Sequence, residues 1–277
     1  MAGNDDIARH NRRQWDECAA RGGRYSTPWL DLDVSMLRAY VEGRLDHLPR
    51  PWIYLYPPQV LRDVAGKDVL LLATGGGQQS AAFGLLGANV TVYDLSDGQL
   101  AADRVAARHY GYEVRTVQGD MRDLSALPSE SFDLVYQEIS LVFVPDVREV
   151  YRGVARVLRR GGTYRVAHGN PAVYLVDERS WDGRGYRIAG PYGEGRFDPQ
   201  AADEAIEFRH LLSDIFNGLT EAGLMIRGVW EDPCHLHHDS LAAEGTYDHM
   251  TGWVALYFAI TAERPRRGAW NPIVRRG

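Results

Sequence analysis

The chain has 277 residues, room for one large α/β domain or two small ones, and its 45% hydrophobic and 25% charged residues suit a globular protein that buries a core without staples. A formal net charge of −6 argues against the basic face that nucleic-acid phosphates demand, no apolar run approaches the roughly 20 residues of a membrane span, and residues 1–15 are too polar for a signal peptide. Two cysteines, Cys18 and Cys234, make no disulfide framework, so the expected setting is cytoplasmic, with neither nucleic acid nor membrane as partner.

In chain order, residues 7–20 read as a helix that breaks at Gly22-Gly23, and 33–48 carry apolar residues at helical spacing before a proline-rich stretch. "DVLLLA" (68–73) is a continuous apolar run, as in a strand buried on both faces. A helix from Gln79 to Leu86, a strand "NVTVYDL", a helix 97–109, strands "YEVRTVQGD" and "SFDLVYQE", a helix over 146–162 with a Gly-Gly stop, and a strand "TYRVAHG" follow. Such alternation predicts parallel strands with crossover helices, hence a doubly wound α/β sheet. Residues 170–203, rich in Gly, Pro, Tyr and Arg, are too long for a plain connection and read as an inserted cap or hairpin. A helix and two strands, "LMIRGVWED" and "TGWVALYFAITAE", close the chain before an Arg- and Pro-rich tail expected to be loose.

Three consecutive glycines, Gly75 to Gly77, lie between the first strand and its helix. No G-K-[ST] follows, which removes ATP hydrolysis; Gly75 and Gly77 meet two positions of a dinucleotide fingerprint, but Ser80 stands at the third. Asp94, at the end of "VTVYD", can accept both hydrogen bonds of a ribose diol, whether of NAD or of S-adenosylmethionine, or can cap the next helix. "VQGDMRDL" then sets Gly119, Asp120 and Met121 at the carboxyl edge, where an acid can take the exocyclic amine of adenine and an apolar neighbour can flank the ring.

"VLLLATGGG", Asp94, "GDMRDL" and "FDLVYQEISLVFVPDVREVYRGVARVLRRGG" together resemble, over about residues 60–170, a class I S-adenosylmethionine-dependent methyltransferase. The resemblance implies a Rossmann-like seven-stranded sheet with an antiparallel last strand. An N-terminal helical lid (1–60) would precede a core (61–264) with its cap at about 170–205, and the tail would be 265–277. The cofactor would be S-adenosylmethionine and the acceptor a small molecule of specialised metabolism, methylated on O or N by a monomer or homodimer. One departure is that Leu71 stands where the family's first motif usually has an acid. Residue by residue, Thr74, Gly75, Gly76 and Gly77 would line the methionyl part, with Gln79 and Ser80 as donors to its carboxylate. Asp94 would bind the ribose, Leu95, Gln99, Gly119, Asp120 and Met121 the adenine side, and Gln137 the amino-acid end. Trp15 and Tyr25 would close over the cofactor.

The chemistry asks for an aligned nucleophile and, for an alcohol, a phenol or a protonated nitrogen, a general base. Glu138 after strand four and His168 after strand five are the candidates. His210, Tyr186, His235 and His237 are expected on the acceptor side; the "CHLHH" run suggests a metal, but no carboxylate cluster accompanies it and no metal is expected. The rival readings are a cofactor-binding protein of this fold without methyl transfer and an NAD-dependent oxidoreductase.

Overall fold

The structure, a computed structural model, describes residues 4–268 except 47, 50–51, 194, 198–203 and 232–241. Strands β1 (Asp68–Leu72), β2 (Asn89–Asp94), β3 (Val114–Gln118), β4 (Phe132–Gln137), β5 (Leu158–Gly169), β6 (Met225–Glu231) and β7 (Tyr257–Glu263) form one sheet in the order β6-β7-β5-β4-β1-β2-β3. β7 runs antiparallel to both its neighbours, and the other pairings are parallel. The expected doubly wound, seven-stranded fold is therefore present. Strand order reverses between β1 and β4, which opens a crevice at their carboxyl ends.

Helices α1 (Asn4–Ala20), α2 (Val34–Val41), α3 (Gln79–Leu85), α4 (Asp97–Tyr110), α5 (Val147–Val157), α6 (Leu212–Glu221) and α7 (Tyr247–Thr251) complete the described elements of regular α-helix. Side chains alternate across β1 with a period of two. Leu70 and Leu72 enter the core beneath α5 and α6, whereas Val69 and Leu71 enter the core under α3 and α4. That second core also buries Leu37, Tyr40 and Leu55, from the segment 1–60 expected as lid, together with Leu61.

Two helices stop earlier than periodicity suggests. α2 ends at Val41, because Gly43 turns the chain with φ +76°, and two 3-10 turns then carry Trp52 and Val60 into the core. α5 ends at Val157 rather than at Gly161-Gly162, because Leu158 is already extended and Arg159 ties β5 to β1 and β4 through Asp68 (2.7 Å) and Asp133 (2.6 Å). The insertion holds two short antiparallel pairs, Val176–Asp177 with Arg187–Ile188 and Gly195–Phe197 with Glu207–Arg209. Arg264, at the edge of the expected loose tail, is instead fixed by backbone hydrogen bonds with Gly161 and Gly162 and an ion pair with Glu130 at 3.0 Å. Among the described residues no helix is long and apolar enough to cross a membrane.

Candidate active site

The carboxyl ends of β1, β2, β3 and β4 open into a cavity of about 1170 Å³, roofed by α1, by residues 24–31 and by residues 204–207. Its floor carries Glu138 and Ser140 after β4, Thr74 and Gly75 after β1, Asp94 and Leu95 at the end of β2, and Gly119 and Met121 after β3. Of the residues singled out in the sequence, Trp15, Tyr25, Gln79, Gln99 and Asp120 also line it. Trp15 meets Phe143 edge-on at 5.4 Å, an apolar corner beneath the lid helix.

Only the first glycine of the triplet faces the cavity. Gly75 has φ +79°, and a Cβ there would lie 2.7 Å from the Tyr25 carbonyl oxygen. Gly76 and Gly77, expected to line a ligand, are packed against the protein itself. A Cβ on Gly76 would sit 2.6 Å from the Ser26 backbone, and one on Gly77 would sit 2.6 Å from the Ala102 carbonyl oxygen. Their N–H groups donate to two α4 side chains one helical turn apart, Gly76 to Gln99 Oε1 (2.6 Å) and Gly77 to Asp103 Oδ1 (3.0 Å). Gln99 also donates to Ser26 Oγ at 2.6 Å. With Leu71 buried in the core, α4 supplies the groups that pin this loop.

Ser80 is corrected likewise. Its hydroxyl is fully buried and donates to Asp103 Oδ1 at 2.5 Å, away from the cavity. Thr74 and Gln79 line the cavity, and Thr74 Oγ1 and Gln79 Oε1 are buried with no hydrogen-bond partner among the described residues. Buried unsatisfied groups are costly, and at a cavity wall they call for a ligand.

Three acids differ in setting. Burial pushes Asp94 up to about 6, against the backbone N–H groups of Ser96, Leu95 and Gly75, which favour its charge. Its Oδ1 accepts the Ser96 N–H at 2.9 Å, but the N-cap of α4 is Ser96, whose hydroxyl accepts the Gln99 N–H, so Asp94 faces the cavity without capping the helix. Asp103, which the sequence reading missed, is pushed up to about 8 by burial, with Asp94 nearby adding to it, and makes no ion pair among the described residues. Asp120 is held by Arg122, whose Nε lies 3.0 Å from both carboxylate oxygens.

Glu138 reaches the cavity floor but is tied down: Tyr136 donates to its Oε1 at 2.8 Å, and Arg165 Nη1 lies 2.9 Å away. Arg165, unremarked in "TYRVAHG", is fully buried and also donates to the carbonyls of Tyr56 (2.9 Å) and Gln137 (3.0 Å). A lone arginine inside an apolar strand was the available signal.

His168 is corrected as a base. Alternation along β5 puts it on the face of Tyr164 and Val166, stacked on Phe258 and 3.0 Å from the Tyr151 hydroxyl, outside the cavity lining. Burial, then His210 and Arg165 nearby, pushes it down to about 3, so it is neutral. His210 meets the Leu141 carbonyl at 3.0 Å on the same side and does not line the cavity. Gln137 also turns away, accepting from Tyr164 at 2.5 Å and donating to Ser140 Oγ at 2.9 Å. Tyr186 packs instead in an outer aromatic cluster with Trp181, Trp253 and His249, its hydroxyl 2.7 Å from His249 Nδ1. His235 and His237 lie outside the described residues.

The roof is latched at two points. Asn11, buried in α1, donates to the Ile206 carbonyl (3.0 Å) and accepts the Ile206 N–H (2.8 Å), while Asp16 accepts from Ser96 Oγ (2.6 Å) and the Gly98 N–H (3.1 Å) at the start of α4. Neither residue carried a signal in the sequence, because each bonds to backbone brought near only by the fold.

A methyltransferase domain family matches residues 70–166. The uncharacterized methyltransferase YbaJ of Bacillus subtilis is 31% identical over 242 residues, covering 82% of this chain and 91% of that protein. The ubiquinone biosynthesis O-methyltransferase of Pseudomonas syringae pv. tomato is 35% identical over 115 residues, 41% of this chain and 50% of that protein. Among solved structures, an S-adenosylmethionine-dependent methyltransferase from Mesorhizobium loti superposes with a TM-score of 0.62 at 24% identity, over 82% of this chain and 100% of its own. The geranyl diphosphate C-methyltransferase of Streptomyces coelicolor, solved with Mg2+, geranyl diphosphate and S-adenosyl-L-homocysteine, superposes with a TM-score of 0.55 at 16% identity, over 93% of this chain and 97% of its own. Sheet order, cavity and relatives agree: the chain belongs to the class I S-adenosylmethionine-dependent methyltransferases.

Proposed function

We propose that this methyltransferase acts on an O or N atom of a small molecule enclosed with the cofactor in the one cavity. The observation that carries the reading is the roofed volume of about 1170 Å³, which exceeds the about 300–1,000 Å³ usual for a single small-molecule site and leaves room for an acceptor beside the cofactor. A protein or RNA acceptor would need an open groove.

The residues present fit S-adenosylmethionine. Asp94 offers carboxylate oxygens to the ribose diol, Leu95 and Met121 offer apolar contact to the adenine, and Thr74 Oγ1 and Gln79 Oε1 offer unused polar atoms to the amino-acid end. Asp120 serves the adenine edge only by sharing its carboxylate with Arg122. When bound, the cofactor supplies an electrophilic methyl group on a sulfonium, so the protein's part is alignment and exclusion of water. α1 and residues 204–207 exclude water. Glu138, held by the ion pair with Arg165 and the hydrogen bond from Tyr136, is an orienting group more than a free base.

Incubation with methyl-labelled cofactor and a cell extract, followed by desalting, separates the alternatives. The expected label lies in the small-molecule fraction; label retained with protein or RNA would overturn the reading.

A further inference from the structure

One wall of the cavity is aromatic. Tyr25, Tyr54, Tyr174 and Tyr257 all line it. Burial, and then the phenols of Tyr247, Tyr25, Tyr54 and Tyr174 nearby, raise the Tyr257 hydroxyl well above the usual phenol range, so that phenol stays neutral. Glu207 enters the same wall from the strand Glu207–Arg209, close enough to Tyr174 to raise its hydroxyl as well. The Glu207 side chain makes no hydrogen bond or ion pair among the described residues, and burial followed by neighbouring Glu204 raises it above the ordinary carboxylate range. Of the lining cations, Arg122 is engaged by Asp120 and Arg24 lies in solvent over the Tyr25 ring. Tyr174 already attracts a guanidinium, that of Arg209 at 4.8 Å, although Arg209 is not part of the lining.

A half-buried carboxylate with no counter-ion among the described residues, set among tyrosines in a roofed cavity, is matched by a cation and mismatched by an anion. We propose that the acceptor is a small basic amine that enters as its ammonium ion, held between Glu207 and the tyrosine faces, and that the reaction is an N-methylation. The inference rests on the small-acceptor reading above. The ammonium gives one proton to the Glu207 carboxylate, and the freed nitrogen lone pair forms the new N–C bond. The C–S electron pair stays on sulfur, leaving S-adenosylhomocysteine, and the proton passes to solvent as product leaves.

Calorimetric titration of the full chain saturated with S-adenosylhomocysteine tests this with three probes of one shape: phenethylamine, 2-phenylethanol and phenylacetate. Phenethylamine is expected to bind about tenfold or more tighter than the alcohol, equal to about 1.4 kcal/mol, and phenylacetate not at all. Glu207→Gln should bring phenethylamine to the alcohol's affinity and leave the alcohol unchanged. An alcohol or carboxylate that binds as well as the amine, or an unchanged preference in Glu207→Gln, would overturn the inference while leaving the small-acceptor reading intact. Binding of no probe to a protein that still takes up S-adenosylhomocysteine also overturns it, and the label partition then decides the small-acceptor reading separately.

Discussion

Asp103 carries a penalty that depends on pH. Buried beneath the glycine loop, it has its folded pKa raised from 3.8 to about 8, so the unfolded chain loses its proton well before the folded one does. The unfolded state therefore binds fewer protons across that window, and stability falls as pH rises from about 4 to about 8; below the unfolded value both states are protonated and the penalty disappears. Asp94, raised to about 6, adds a penalty of the same sign over a narrower range. Asp103→Asn keeps acceptors for the Gly77 N–H and the Ser80 hydroxyl without the charge. Its melting temperature relative to the wild type should climb between pH 5 and pH 8, and a constant difference would contradict this account. At this scale the sequence is legible where a residue's position alone fixes its role. Asp94 ends a buried strand and must emerge at the carboxyl edge. His168 also ends a strand, but its fate depends on which face of β5 meets the cavity, a matter of parity that no single sequence displays. Gln137 fails for a related reason: its side chain is claimed by the core-facing Tyr164.

The glycine loop shows what an element adds. The triplet marks a close approach, and the approach exists, but most of it is to the chain's own residues 26–28 and α4 rather than to a ligand. Which partner comes near is a tertiary fact. Gly76→Ala should therefore act through packing: its Cβ meets Ser26 backbone at 2.6 Å, and overpacking of this kind costs about 1–3 kcal/mol. Gly111→Ala, at φ +74° with no atom within 4 Å of the added Cβ, isolates the backbone strain of about 1–2 kcal/mol. Chemical denaturation of the two variants checks the comparison, and S-adenosylhomocysteine affinity should fall for Gly76→Ala only. The lid helix was legible as a helix, but its latch was not. Asn11→Ala removes two hydrogen bonds worth about 1 kcal/mol each, so amide exchange in α1 should quicken about ten- to thirtyfold while β1 and β4 are unchanged. Equal exchange in both proteins would show that the contact to Ile206 does not hold the roof.

For the whole molecule, alternation of apolar strands and helices carried the fold, because parallel strands joined by crossover helices have few permitted arrangements. The sheet order and the antiparallel β7 follow the resemblance; the roof does not. Residues 204–207 and α1 meet across 195 positions of sequence, and part of the cavity roof is built where they do. The central claim is that Asp94 and the loop around Gly75 bind the cofactor within this cavity. Calorimetric titration with S-adenosylhomocysteine, NAD as control and Asp94→Ala as variant, tests it most directly. S-adenosylhomocysteine alone should bind, and Asp94→Ala should weaken it about tenfold or more with the fold retained by circular dichroism, as expected for losing a hydrogen-bonding carboxylate of about 1.5–3 kcal/mol. Undiminished affinity in a folded Asp94→Ala, or binding of NAD in place of S-adenosylhomocysteine, would contradict it.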